Sequence, residues 1–157
     1  MAIKYSKVAT GGTFDEIHLG HIALLSKAFQ VGTNVIIGIS SDEFAKAKGK
    51  VIHSYDERVT NLRRTIHSNF DDARFQIVKL DTTYGPAVIS EDVAALIVST
   101  ERATVGYEIN KIRINRGISP LSIIIVDMVR AEDGTPISSS RIRAGQIDAQ
   151  GKLLRRK

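Results

Sequence analysis

Along this chain, short runs of β-branched and aliphatic residues alternate with longer stretches in which apolar positions recur every three or four residues. The runs at 7–10, 34–40, 74–80, 94–99 and 121–129 predict five strands. Between them, 22–31 predicts a helix that offers Ala23, Leu24, Ala28 and Val31 to a core. Ser54-Tyr55-Asp56-Glu57 has the form of a capping box, in which serine and glutamate each satisfy an amide of the first turn, and predicts a helix to about Asn69. The stretch 105–116 predicts a third helix, ended by Gly117 in the left-handed position. Strand and helix in alternation imply a parallel sheet with helical crossovers. The expected architecture is α/β: one Rossmann-like, doubly wound domain with a five-stranded parallel sheet flanked by helices, spanning 1–157 with a basic tail from about 146. No internal repeat, low-complexity segment or linker interrupts it, and no subunit interface is legible in the pattern.

Length and composition agree with that picture and narrow the function. At 157 residues the chain suffices for one domain with a real core. No apolar run approaches the roughly 20 residues of a membrane helix, and Met1-Ala2-Ile3-Lys4-Tyr5 lacks the form of a signal peptide, which predicts a cytoplasmic protein without a membrane partner. The absence of cysteine excludes disulfides and thiol catalysis. A formal charge of +5 favours anionic partners, and its bases are spread out apart from the end Lys152-Leu153-Leu154-Arg155-Arg156-Lys157. With 6% aromatics and no tryptophan, the chain lacks the stacking residues of a single-strand nucleic-acid binder, so nucleotides fit the charge better than nucleic acid.

In open parallel sheets, ligands gather at the carboxyl ends of the strands. There the first strand is followed by Thr10-Gly11-Gly12-Thr13-Phe14-Asp15-Glu16-Ile17-His18-Leu19-Gly20-His21. A glycine turn lets backbone approach a ligand closely, and the free amides of a helix starting near Gly20 would attract anions. His18 and His21, three residues apart, share one face of a helical turn and could donate hydrogen bonds or bind a metal. Zinc is the rival reading, but it needs further ligands, cysteine is absent, and His53 and His67 stand in unrelated contexts. Ser40-Ser41-Asp42, Ser99-Thr100-Glu101-Arg102 and Ile137-Ser138-Ser139-Ser140-Arg141-Ile142-Arg143 end later strands on the same rim. Alone, the serine run reads as an ordinary helix cap with exposed arginines; opposite the glycine-histidine segment it reads as the second jaw of a triphosphate site.

Gly-Thr-Phe-Asp followed by His-x-Gly-His, with a late Ile-Ser-Ser-Ser-Arg, resembles the nucleotidyltransferase superfamily, which includes relatives of the class I aminoacyl-tRNA synthetases. The single-domain length and Ser54-Tyr55-Asp56-Glu57-Arg58 resemble its phosphopantetheine adenylyltransferase family. The Gly11-Gly12 doublet, His18 and the Ser-Arg-Ile-Arg ending resemble the archaeal and eukaryotic form, and the likeness runs from Val8 to about Gly145.

That resemblance implies transfer of the adenylyl group of ATP to 4′-phosphopantetheine, with Mg²⁺ carried mainly by the ATP phosphates. It implies His21, His18, Lys50 and Arg102 as catalytic residues. Lys48 is the alternative to Lys50, because loop spacing varies. Gly11, Gly12, Thr13, Phe14, Asp15, His18, His21, Glu108, Ser138, Ser139, Ser140 and Arg141 form the implied ATP-binding set, and Thr13, Lys50 and Arg102 the acceptor-binding set. Bacterial members carry two arginines after the fourth strand, whereas this chain has Arg102 alone, leaving Arg141, Arg143, Lys111 or Arg113 to supply the second charge. Two alternatives keep the fold: a cytidylyltransferase for glycerol phosphate or choline phosphate, and a flavin or nicotinamide mononucleotide adenylyltransferase. A third is a non-catalytic nucleotide- or RNA-binding module.

Overall fold

The computed structural model describes residues 4–49, 51–85 and 90–154. Five strands, β1 (Tyr5–Gly12), β2 (Gly32–Ser40), β3 (Phe75–Leu80), β4 (Ala95–Ser99) and β5 (Ser122–Val126), form one sheet in the order β3-β2-β1-β4-β5. Every neighbouring pair is parallel. The helices are α1 (Leu19–Val31), α2 (Asp42–Lys48), α3 (Tyr55–Asn69), α4 (Ala103–Asn115) and the short α5 (Ser139–Arg143). Strand order reverses between β1 and β4, which puts the crevice of a doubly wound sheet over the carboxyl ends of those two strands.

Successive side chains on a strand point to opposite faces, and a sheet covered on both must be apolar at successive positions. The central strands obey this rule. Val8, Val35, Ile37, Ile39, Ala95 and Ile97 join one core with Leu25, Ala28 and Val31 of α1 and Leu62 and Ile66 of α3. Ala9, Ile36, Leu96 and Val98 join the other with Ile109 of α4. A third, separate cluster of Ala131, Ile137 and Ile147 lies in the carboxyl-terminal part.

The Ser54/Glu57 capping box and the left-handed Gly117, with φ of 73°, stand where the sequence expects them. Three features differ. Strand β1 runs on to Gly12, so Gly11 and Gly12 pair with Gly38 and Ile39 and end a strand instead of forming a turn. A Cβ at Gly11 would lie 3.1 Å from the carbonyl oxygen of Gly38, a close strand-to-strand approach that favours glycine. Strand β5 stops at Val126 rather than 129, because Val129 leaves the sheet to accept the amide of Ile137. Helix α2 was not expected, although Ser41 caps it by accepting the Phe44 amide at 3.1 Å and acidic residues open its first turn.

Candidate active site

The reversal of the chain from β1 into α1 is made by Phe14, whose φ of 54° is unusual for a bulky residue. Its ring, almost wholly buried, lies 4.9 Å from that of His21, which in turn lies 4.0 Å from that of His18. His18 is the N-cap of α1: its Nδ1 accepts the Gly20 amide at 3.0 Å, while its own amide donates to Nδ1 of His21 at 3.2 Å. Each Nδ1 being an acceptor, the proton of each neutral ring sits on Nε2. Burial pushes His18 down to about 4, and burial together with the charge of His18 pushes His21 down to about 3. Both are therefore neutral Nε2–H donors at physiological pH. A Cβ at Gly20 would lie 2.7 Å from Cε1 of His18, so glycine inside His-x-Gly-His is what lets the first ring fold over the helix start.

The expected free amides at that helix start are not available. Leu19 donates to the carbonyl of Ala149, Gly20 to the His18 ring, and His21 and Ile22 to the His18 carbonyl. On the opposite jaw, Ser138 caps α5 by accepting the Arg141 amide at 3.2 Å. The amides of Ser139 and Ser140 meet no acceptor among the described residues.

Two clefts open over the crevice. One is walled by Ile36, Val78, Leu80, Leu96, Val105 and Ile109, with Lys48, Ser99 and Arg102 among its polar residues. The other is lined by His18, His21, Ser138 and Ser139 with Val126 to Val129. Gly11, Gly12, Leu24, Ser99 and Arg102 belong to both, so the clefts meet over the end of β1. Thr13 lines an adjoining hollow with Lys48 and Ser139.

Several implied residues do other work. Asp15 is buried and accepts the amides of Ile52 and His53, the ring of His53 at 3.1 Å and Arg143 at 2.9 Å. Burial would raise its pKa, but the His53 and Ile52 amides, the His53 ring and Arg143 together hold the carboxyl below its ordinary value. His53, read from the sequence as unrelated, thus belongs to this assembly. Arg141 turns away from the clefts to Asp133, the side-chain oxygen of Gln146 and the Pro136 carbonyl. Glu108 holds the hydroxyl of Tyr84 and lines neither cleft.

Of the four candidates for the missing second charge, Arg113 is buried and donates to the carbonyls of Ser90, Val93 and Ser119, while Arg141 and Arg143 are ion-paired. Lys111 lines neither cleft. Lys50 lies outside the described residues. Lys48 stands beside Arg102 in the first cleft, donates to Ser40 Oγ at 3.1 Å, and has its pKa lowered by burial and by the charges of Arg102 and Arg58.

Arg58, which the sequence singled out only as the last residue of the family-like run Ser54-Tyr55-Asp56-Glu57-Arg58, organises this end of the sheet. It is fully buried and donates to the carbonyls of Thr13, Ser40 and His53 at 2.9, 2.7 and 3.1 Å, and it pairs with Asp42 at 2.9 Å. One guanidinium therefore ties the Thr13 turn to the end of β2 and the start of the helix that carries Lys48. An arginine one step past a capping box, on the face later taken by Leu62 and Ile66, was the signal available.

Among the described residues, no group of three or more His, Asp or Glu side chains gathers as a metal site, and no helix is long and apolar enough to cross a membrane. Residues 9–145 match the family described as cytidylyltransferase-like. The chain is 49% identical over 156 residues to the phosphopantetheine adenylyltransferase of Methanothermobacter thermautotrophicus, covering 99% of this chain and 94% of that protein. It is 41% identical over 146 residues to the phosphopantetheine adenylyltransferase of Methanopyrus kandleri, covering 92% of each. The fold superposes with a TM-score of 0.71 on a crystal structure of a protein of unknown function from Archaeoglobus fulgidus, at 32% identity over 77% of this chain and 89% of that one.

Proposed function

The chain belongs to the cytidylyltransferase-like family and, within it, to the phosphopantetheine adenylyltransferases, and we propose that its joined clefts transfer the adenylyl group of ATP to 4′-phosphopantetheine. The products are dephospho-coenzyme A and pyrophosphate, a step of coenzyme A synthesis. The observation that carries the assignment of sites is the meeting of two clefts of different character over Gly11 and Gly12. The apolar one suits a neutral, extended pantetheine arm, with Lys48 and Arg102 on its phosphate. Glycerol phosphate, having no apolar part, would leave those walls unused. The cleft with both imidazoles and the serine turn suits the nucleotide.

The chemistry needs no general base, because a phosphate monoester has its second pKa near about 6 and is largely dianionic at neutral pH. One of its oxygens attacks the α-phosphorus of ATP in line. A new P–O–P bond forms, the bond from the α-phosphorus to the bridging oxygen of the β-phosphate breaks, and pyrophosphate leaves with the electron pair. Catalysis then rests on alignment and on stabilising charge at the α-phosphoryl oxygens. His21 and His18 offer Nε2–H donors that carry no charge of their own, and the amides of Ser139 and Ser140 offer donors for the β- and γ-phosphates.

Asp15 already accepts from four donors, and among the described residues no group of three or more His, Asp or Glu side chains gathers to hold a cation. Mg²⁺ enters as part of the MgATP substrate, whose charge it lowers. Both substrates are dissolved, charged metabolites, and the reading carries a cytoplasmic location with it. Pyrophosphate release from MgATP that depends on 4′-phosphopantetheine tests the proposal.

A further inference from the structure

Residues 146–154 line neither cleft and lie beyond the part of the chain that matches the cytidylyltransferase-like family, yet they touch both jaws of the nucleotide cleft. On the histidine side, the Ala149 carbonyl accepts the amide of Leu19, the residue next to His18, at 3.1 Å. On the serine side, Ile147 is fully buried against Ile137, the residue next to Ser138, and against Ala131. The segment is closed on itself by Leu154 donating to the Gln146 carbonyl and Gly151 to the Asp148 carbonyl, each at 3.0 Å. It is tied to the loop before the serines by Glu132 donating to the Gly151 carbonyl at 2.8 Å and by Leu153 donating to the Glu132 carboxylate at 3.0 Å. Gly151 has φ of 80°, and a Cβ there would lie 2.9 Å from Cα of Ala131.

We infer that residues 146–154 are a clasp that sets the spacing between the Ser138–Ser140 turn and the His18–His21 turn, with Ile147 its main positioning residue. Among the described residues, none of the apolar residues of the serine turn joins either core of the sheet. The turn stands on the small third cluster, to which Ile147 contributes the one residue from beyond the turn among the fully or nearly fully buried members. Among the described residues, its direct ties to the glycine-histidine side are two: Ser139 Oγ donating to the Glu16 carbonyl at 3.1 Å, and Arg143 pairing with Asp15. Loosening the clasp lets the serine amides drift from the triphosphate while leaving the Lys48 and Arg102 cleft intact. The expected signature is a selective loss of ATP, because displacements of about 1 Å suffice to cost a large factor in an aligned site.

The inference rests on the nucleotide occupying the cleft between the serines and the histidines. The test is calorimetric binding of MgATP and of 4′-phosphopantetheine to the full chain, with KM for each, in Ile147→Ala, Ile147→Val and Glu132→Ala. Ile147→Ala is expected to weaken ATP by about tenfold or more, with acceptor affinity within about twofold of wild type, and Ile147→Val to restore most of the loss. If Ile147→Ala does not fold, the milder Ile147→Val and Glu132→Ala are expected to show the same ATP-selective direction. Unchanged ATP affinity in folded variants, or equal loss of both substrates, overturns the clasp. A wild-type chain that binds no ATP overturns the nucleotide-site reading itself.

Discussion

The amide of His18 donates to Nδ1 of His21 at 3.2 Å, so the first histidine of the pair fixes the tautomer of the second through its backbone rather than its ring. The His18 ring is fixed likewise by the Gly20 amide. Two histidines that each spend Nδ1 on a main-chain donor are left with one Nε2–H apiece, side by side at a ring separation of 4.0 Å. The pair is thereby set up to donate two hydrogen bonds to anionic oxygen without bringing positive charge into a buried place.

Removal of one of these donors should appear in turnover. His21→Ala is expected to lower kcat by at least about 10²-fold, the usual cost of losing a donor aimed at transition-state charge. Steady-state assays on protein with an unchanged circular dichroism spectrum check it. Wild-type turnover in a folded variant would remove His21 from the catalytic set.

Much of this was legible in the sequence, and the losses are instructive. Period and capping residues placed the sheet and its three long helices because burial on both faces forces continuous apolar runs such as that of β2. The residues of the glycine-histidine segment and of the serine run do meet in one cleft. What local pattern could not reveal was the use of polar groups across long sequence separations. Asp15 meets Arg143 and His53, and Arg58 meets Thr13 and Ser40, and none of these contacts has a periodicity. Arg141 looked like a phosphate ligand beside the serines, but Asp133, eight residues earlier on a returning loop, takes it first.

The histidines also make stability depend on pH. Their folded-state pKa values, about 4 and about 3, lie below the ordinary 6.5 that they have when unfolded. Below pH 6.5 the unfolded chain therefore binds protons that the folded one refuses, and stability falls with falling pH until the folded values are reached. The slope is at most about 1.4 kcal/mol per pH unit for each histidine. Urea midpoints between about pH 7.5 and about pH 5 should decline less steeply in a His18→Asn/His21→Asn double variant than in wild type. Identical slopes would contradict the buried, neutral state.

Gly20→Ala should act through His18. The added methyl would lie 2.7 Å from Cε1 of that ring, which must swing away and give up the Gly20 amide. A loss of about 1 kcal/mol is expected from the broken cap, with a fall in kcat larger than the change in acceptor KM. A variant as active as wild type would mean that the His18 orientation is immaterial.

Arg58→Met should be among the most damaging changes away from the clefts. It strands three carbonyls, those of Thr13, Ser40 and His53, and the expected loss in denaturant unfolding is on the order of 3 kcal/mol. Arg58→Lys should rescue only part, since an ammonium cannot span four acceptors with the geometry of a planar guanidinium. A cost below about 1 kcal/mol for the methionine variant would show that the bonds are not structural.

The central claim is that the phosphate of phosphopantetheine, held at the junction of the two clefts, is the nucleophile that takes the adenylyl group. The most direct measurement incubates the purified chain with MgATP and either 4′-phosphopantetheine or dephosphorylated pantetheine, following pyrophosphate and dephospho-coenzyme A together. The phosphorylated acceptor is expected to give the two products in equal amounts, and the dephosphorylated one to leave ATP untouched even in large excess. Turnover of CTP with glycerol phosphate by a chain that ignores 4′-phosphopantetheine would contradict the account.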